Sequence, residues 1–567
     1  MCIFCSISVA SALRESLTYD EPVHIQEGKN AILHHTFSID TNNPPFVREF
    51  EVVPLLFHAD SLIHSPLPLM KVLPARLMTL LFAVGLALAV FITTSVYIGA
   101  TEAFIALLLF IFDPNILAND HYVTLDMGFT LLFFLSYIFL LNILNRPNQQ
   151  SSPHPHGAIW RLFHSTEVRS YALLAVTTGL GLASKISFLP YFVVSAFILL
   201  IVKKRRGSFT FLWQEKYRVL FMCFFSLVVL WATYFFKTDV IIAQRADTGR
   251  VSYRLEQFAK THHIGFVSEL LKFGEQQSVP LGNYLAMIKN NTIRNTKGGS
   301  FFFLGKIYPK HKWYFLPVGV LLQTPIPLII LFLISVFSVF ARSLLRKDKS
   351  SGLLYKFSSW FTESSSGKND NTISFLIPVL AILFIGSSTN MVPLVRYVLP
   401  IYPFVVIIAA QGVVFLAQKQ SGKILAGVLL LWYLLSMLSY FPHFISYSNE
   451  LLGVSRQKDL LFFDSNMDWG EGLPDVKQYV DQKKPKTMYF SYFSTDDPSL
   501  YGLKSTTQFK SNRLKYLCEF HTVPIAKRGE DITAISLSGW YDCEYYQKPQ
   551  FEKGKIKDIV GHSILIF

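Results

Sequence analysis

Charge is the scarcest resource of this chain: Asp, Glu, Lys and Arg make up only 16% of its 567 residues, while 51% are hydrophobic. A soluble domain carries about 25% charged residues, so the shortage excludes an ordinary soluble protein. Cysteine is rare as well. Five are present, and they form no complete metal-ligand set: Cys2, Cys5 and Cys223 lie in apolar surroundings, while Cys518 and Cys543 share the C-terminal tail, where they are either free or paired in an oxidising compartment. No basic region precedes the short apolar segment at 1–13, which speaks against a cleaved signal peptide. No internal repeat is visible, and the paired halves expected of many transporters are therefore missing.

Apolar sequence is present in abundance, with 51 Phe and 26 Tyr among it. Stretches long enough to cross about 30 Å of hydrocarbon recur near 77–98, 217–236, 314–341, 397–417 and 424–444. Shorter ones at 103–118, 127–144, 170–184, 187–202 and 373–388 bring the expected count to about ten, and 1–13 makes eleven. That first segment is too short to span alone, so it relies on tilt and partner helices, or the true start lies upstream.

The formal net charge is +14, and its placement says more than its size. Lys203, Lys204, Arg205 and Arg206 follow one apolar stretch; Arg342, Arg346, Lys347 and Lys349 follow another; Arg146, Arg161, Arg169, Lys419 and Lys423 fill two more loops. If these loops face the cytoplasm, the spans alternate consistently. Asp20, the loop 237–312 and the tail from 445 then lie outside. Short basic membrane flanks with no aromatic interleaving do not read as a nucleic-acid surface.

Between 14 and 71 short interfacial helices are expected, broken at Asn42-Asn43-Pro44-Pro45. A second external turn runs through Asp113-Pro114 and Asn119-Asp120-His121 to Asp126, which is either a helix cap or a neighbour of the chemistry. Tyr19-Asp20-Glu21 puts two adjacent carboxylates where a first helix meets water, and charge at such a place usually has a job. Lys185 and Arg396 fall on the same predicted face, either snorkelling to headgroups or holding a phosphate. From about Tyr447 the composition turns soluble, with strands expected at Leu460–Phe463 and Thr487–Tyr492 and a helix at 473–482. Asp464-Ser465-Asn466-Met467-Asp468-Trp469-Gly470 reads equally as a sugar- or cation-binding loop and as turn caps. His262 and His263 read as surface residues.

In order along the chain, these landmarks resemble the type C fold membrane glycosyltransferases, specifically the dolichyl-phosphate-mannose protein mannosyltransferase and aminoarabinose transferase-like group. They are Tyr19-Asp20-Glu21 with Gly28, Asn43-Pro44-Pro45 with Pro54, Arg76, Asp113-Pro114 through Asp126, Ala183-Ser184-Lys185, Gln323-Thr324-Pro325, Arg396 through Pro400, Asp464 through Gly470, and Asp497-Pro498 with Tyr501-Gly502. Gln323 departs from a Lys common in bacterial members, and Asn42-Asn43 from a His or Lys.

The resemblance implies an all-α polytopic membrane protein of about 10–11 transmembrane helices, comprising a catalytic domain over 1–445 and a small extracytoplasmic α/β domain over 446–567. It implies transfer of a sugar from a polyprenyl-phosphate donor to a protein, lipid or glycan acceptor, by inverting displacement at the outer face of a prokaryotic plasma membrane. Asp20 is then the expected base. Glu21 and Asp126 would orient the acceptor or hold a divalent cation, Lys185 and Arg396 would hold the donor phosphate, and His24, Asp113 and Tyr397 would support them. Two other classes stay open: a transporter or flippase of lipid-linked sugars, and a surface-polysaccharide polymerase or ligase, which would carry an Arg-rich external loop where 237–312 is mixed in charge.

Overall fold

The computed structural model describes residues 1–37, 42–58, 61, 67–145, 166–204, 208–240, 278–298, 301–304, 306–345, 369–390, 395–452, 467–503 and 531–567. Expectations at Arg146, Arg161, Arg205, Arg206, Arg346, Lys347, Lys349, His262, His263, Leu460 through Asn466 and Cys518 lie outside the described residues.

Among the described residues four helices are long and apolar enough to cross a membrane: Pro68–Tyr97, Leu125–Leu144, Val395–Leu416 and Gln420–Leu438. The apolar pair Phe315–Gln323 and Ile326–Ala341, which meet at 111°, is a broken span or a re-entrant loop. The bend has a local cause. Pro325 disfavours the helical conformation in the residue before it, and Thr324 is extended, at φ −107° and ψ 135°. Shorter apolar helices at Cys2–Ala12, Ala100–Ile111, Val168–Leu182, Phe188–Lys203 and Asn371–Ser387 occupy most of the remaining apolar stretches. The first of these has 11 residues, a rise of roughly 16 Å at 1.5 Å per residue, about half a bilayer core.

The chain folds as two compact units. One comprises Met1–Pro22, Val53–Phe134 and Gly299–Phe567. At its centre the helix Tyr402–Leu416 is buried on almost every side. The 3-10 turn Val395–Ile401 leads into it with Pro400 inside, and Pro403 occupies the helix's first turn, where a missing N–H costs nothing. The same unit carries a four-stranded sheet: Thr487–Ser491 pairs parallel with Asp531–Ser536, which pairs antiparallel with Ile564–Ile566, and that strand with Asp558–Val560. The helix Leu473–Lys483 precedes the sheet. Trp540, Tyr541, Tyr545, Phe551 and Phe567 form much of the core at this end. Both the helix and the first strand match the sequence reading. Cys543 is disulfide-bonded.

The other unit comprises Val23–Val52 and Leu135–Gly298. Within it, the body of the helix that starts at Glu21 crosses the helix that starts at Phe46 at Gly28. A Cβ there would sit 2.5 Å from the carbonyl oxygen of Arg48, so the close approach requires glycine. The turn between them at Asn42 through Pro45 breaks the helix as the prolines demand.

Candidate active site

The two carboxylates at residues 20 and 21 have opposite environments. The helix begins at Glu21 and Asp20 stands just before it, so the pair does not share one helix. Glu21 is fully buried with Arg76 at 2.7 Å. The Arg76 guanidinium donates to both Glu21 oxygens, Nε to Oε1 at 2.8 Å and Nη2 to Oε2 at 2.7 Å. Its remaining N–H groups go to the carbonyls of Ala12, Glu15 and Ser16. The backbone N–H groups of Thr18 and Val123 also donate to Glu21. Burial alone would raise this carboxyl, but the Arg76 charge and these hydrogen bonds hold it below the usual range. Glu21 is thus a brace tying the first loop to the helix Pro68–Tyr97, and its oxygens are spoken for.

Asp20 is the member of the pair that meets solvent. Its side chain is 35% exposed and its Oδ2 lies 3.4 Å from Arg396 Nη1, on an Arg396 side chain 14% exposed. The Arg396 guanidinium lies over the Trp469 ring at 4.1 Å from its centroid and over Tyr397 at 5.4 Å. Sequence reasoning placed Asp20 and Arg396 on one face, and the structure brings them into contact.

The loop 119–124 packs beneath. His121 bridges two acids, with Nδ1 2.7 Å from Asp120 and Nε2 2.8 Å from Glu15, and Ser8 donates to Asp120 at 2.5 Å. Burial would lower His121, but the hydrogen bonds to Asp120 and Glu15, with their charges, push it up to about 9. A histidine raised in the folded state stabilises it fully below the ordinary 6.5 and progressively less as pH rises through about 9. The thermal midpoint is therefore expected to fall across that window, and His121→Gln to flatten the fall; differential scanning in detergent at stepped pH checks it. Glu471 is buried close by. Burial pushes it up, and the negative charges of Asp468 and Glu15 push it further.

Asp113 caps the turn Pro114–Leu117 through the N–H groups of Asn115 and Ile116. Burial raises it to about 7 despite those bonds. Asp126 is buried in the first turn of the helix Leu125–Leu144. Gln323 is buried and its carbonyl accepts from Asn115 Nδ2 at 2.8 Å, so its backbone fastens the external turn. His24 and Lys185 belong to the other unit, where His24 is buried. Among the described residues no three His, Cys, Asp or Glu gather as metal ligands. Of Glu21 and Asp126, for which the resemblance left a divalent cation as an alternative role, Glu21 has both oxygens committed to Arg76 and to backbone N–H groups.

Several residues here were given no role by sequence reasoning. Arg76 had a signal, being a cation within an apolar run, where an ionised group needs a named partner. Trp469, Asp120 and His121 stood in segments the sequence singled out, but their pairing with Arg396 and Glu15 had no signal, because those partners are far away in sequence.

No protein-family profile and no curated protein sequence matches the chain. Among solved structures it is similar to ArnT from Cupriavidus metallidurans in the apo state, at 13% identity and TM-score 0.44 over 100% of this chain and 97% of that one. The same protein bound to undecaprenyl phosphate gives 13% identity and TM-score 0.44 over 100% and 96%. An Archaeoglobus fulgidus oligosaccharyltransferase in complex with Zn and sulfate gives 12% identity and TM-score 0.42 over 76% of this chain and 52% of that one. At such scores the likeness is too loose to assign a role to any residue.

Proposed function

We propose that this chain is a membrane glycosyltransferase that moves a sugar from a polyprenyl-phosphate donor to a hydroxyl or amine acceptor at the outer face of the membrane. The observation that carries the reading is the Asp20–Arg396 pair, a partly exposed carboxylate and a mostly buried guanidinium held 3.4 Å apart beside an apolar helical bundle. The order of sequence landmarks supports it, and the distribution of basic loops supports the outward orientation.

In the reaction, a lone pair of the acceptor attacks the anomeric carbon while the bond from that carbon to the phosphate oxygen breaks. The bonding electrons leave with the phosphate, and configuration at the sugar inverts. Asp20 takes the acceptor proton as base. Arg396 turns from Asp20 to the donor phosphate, where a planar guanidinium meets two oxygens and stabilises the growing negative charge. Asp126 orients the acceptor. Glu21 acts through Arg76, as a positioning residue. Asp113 and Tyr397 hold the surrounding loops. A prokaryotic plasma membrane and a protein, lipid or glycan acceptor complete the reading. The broken helix at Thr324-Pro325 is the one feature that favours a transporter or flippase.

Arg396→Ala is expected to raise KM for labelled polyprenyl-phosphate sugars by about tenfold or more, since a hydrogen bond to a charged group contributes roughly 1.5–3 kcal/mol. Initial-rate measurements over a donor series check this. An unchanged KM would remove Arg396 from the phosphate site.

A further inference from the structure

Glu21 and Asp20 each face a different arginine, and the two arginines are joined through aromatic rings. The Arg76 guanidinium lies 5.2 Å from the Tyr122 ring centroid. Tyr122 meets Trp469 edge-on, with ring centroids 6.0 Å apart and planes at 65°. Trp469 carries Arg396 at 4.1 Å. From Glu21 the order is thus Arg76, Tyr122, Trp469, Arg396 and back to Asp20. Tyr122 is fully buried and Trp469 only 2% exposed, so these contacts are desolvated, the condition under which a cation over a ring is worth most.

Trp469 is fastened by its backbone as well. Its carbonyl accepts from the N–H of Tyr19 at 2.8 Å, one residue before Asp20. Its own N–H donates to Glu471 Oε2 at 2.7 Å. Glu471 in turn offers its carbonyl to the N–H of Ser16 at 2.9 Å. Gly470 follows at φ +92°, where a Cβ would lie 2.6 Å from the carbonyl oxygen of Phe493, so this turn has one backbone path. Asp468 locks its other side by accepting from the Ser538 N–H at 2.7 Å. One residue of the C-terminal segment therefore fixes both the backbone leading to Asp20 and the plane on which Arg396 rests.

The geometry points to Trp469 as a positioning residue of the reaction, setting the Arg396 guanidinium at the height where it meets a lipid-linked phosphate. This rests on the reading of Arg396 as the phosphate ligand. The ring touches no substrate; it acts through Arg396. It also gives the C-terminal segment a part in the chemistry that goes beyond solubility or acceptor contact.

The test is a double-mutant cycle on the purified full chain, with undecaprenyl phosphate in detergent micelles as the probe. Trp469→Leu is expected to weaken binding by about tenfold and Trp469→Phe, which keeps a smaller aromatic face, by about threefold. Both losses are expected to vanish on an Arg396→Ala background, because the ring then has no cation to place. A purely structural role predicts the same loss with or without Arg396, and that result overturns the proposal. So does unchanged binding in Trp469→Leu or Trp469→Phe while Arg396→Ala alone weakens it, which leaves the phosphate reading standing. If Arg396→Ala itself does not weaken binding, the phosphate reading fails first and this inference with it. Should Trp469→Leu not fold, as judged by elution profile and thermal midpoint, the Phe variant decides the matter alone.

Discussion

Arg76→Met is expected to cost the fold about 3–5 kcal/mol, the scale for removing one partner of a buried ion pair. The reason is asymmetry. With Arg76 gone, Glu21 stays fully buried beside a hydrophobic methionine, keeping the Thr18 and Val123 N–H groups but losing its counter-charge. Three carbonyls, of Ala12, Glu15 and Ser16, lose their donor together. The first loop, which ends at Asp20, then loses its hydrogen bonds to the helix Pro68–Tyr97. Adding Glu21→Gln to Arg76→Met removes the uncompensated charge and is expected to return part of the loss, though not the loop's anchorage. Thermal unfolding in detergent of the wild type, both single variants and the double variant measures the coupling. Additive losses would mean that the pair is not the brace described.

Asp20→Asn is expected to lower the transfer rate by about 10²–10⁴-fold, the usual contribution of a general base. Stability is expected to change little, because the carboxylate is partly exposed and its contact with Arg396 spans 3.4 Å; exposed pairs of this kind contribute roughly 0–1 kcal/mol. The donor KM is expected to stay the same or fall slightly, since Arg396 no longer has a carboxylate to leave. The donor KM separates Asp20 from Arg396: the first substitution leaves it in place and the second raises it. Steady-state rates over a range of donor concentrations show which parameter moves. A variant that keeps most of its rate would remove Asp20 as the base.

Much of this architecture was legible in the sequence because membranes impose simple rules. Apolar length marks most of the helices, and the prolines at 44 and 45 mark a break that the structure reproduces, whereas the bend at Pro325 falls inside the stretch 314–341 that read as one crossing. The resemblance assigns Asp20 and Glu21 different roles, and the structure gives the two carboxylates different environments. The helix starts at Glu21, and the two side chains part because one is claimed by Arg76 and the other is left outside. What sequence hides is long-range pairing. Arg76 follows Glu21 by 55 positions, Arg396 follows Asp20 by 376, and Trp469 comes from the other end of the chain to lie on the same stack. An isolated tryptophan in a polar turn looks like a capped loop until its partner is placed beneath it.

The central claim is that the Asp20–Arg396 pair transfers a sugar from a lipid phosphate, and the fate of a label tests it most directly. Proteoliposomes of the wild type and of Asp20→Asn would receive polyprenyl phosphate carrying a radiolabelled sugar, together with extracted membrane lipid, protein and glycan acceptors. The account predicts that the wild type moves label from the lipid into an acceptor and leaves free polyprenyl phosphate behind, while Asp20→Asn binds the donor and leaves the label in place. Label that crosses the bilayer still attached to its lipid, at equal rates in both proteins, would contradict it.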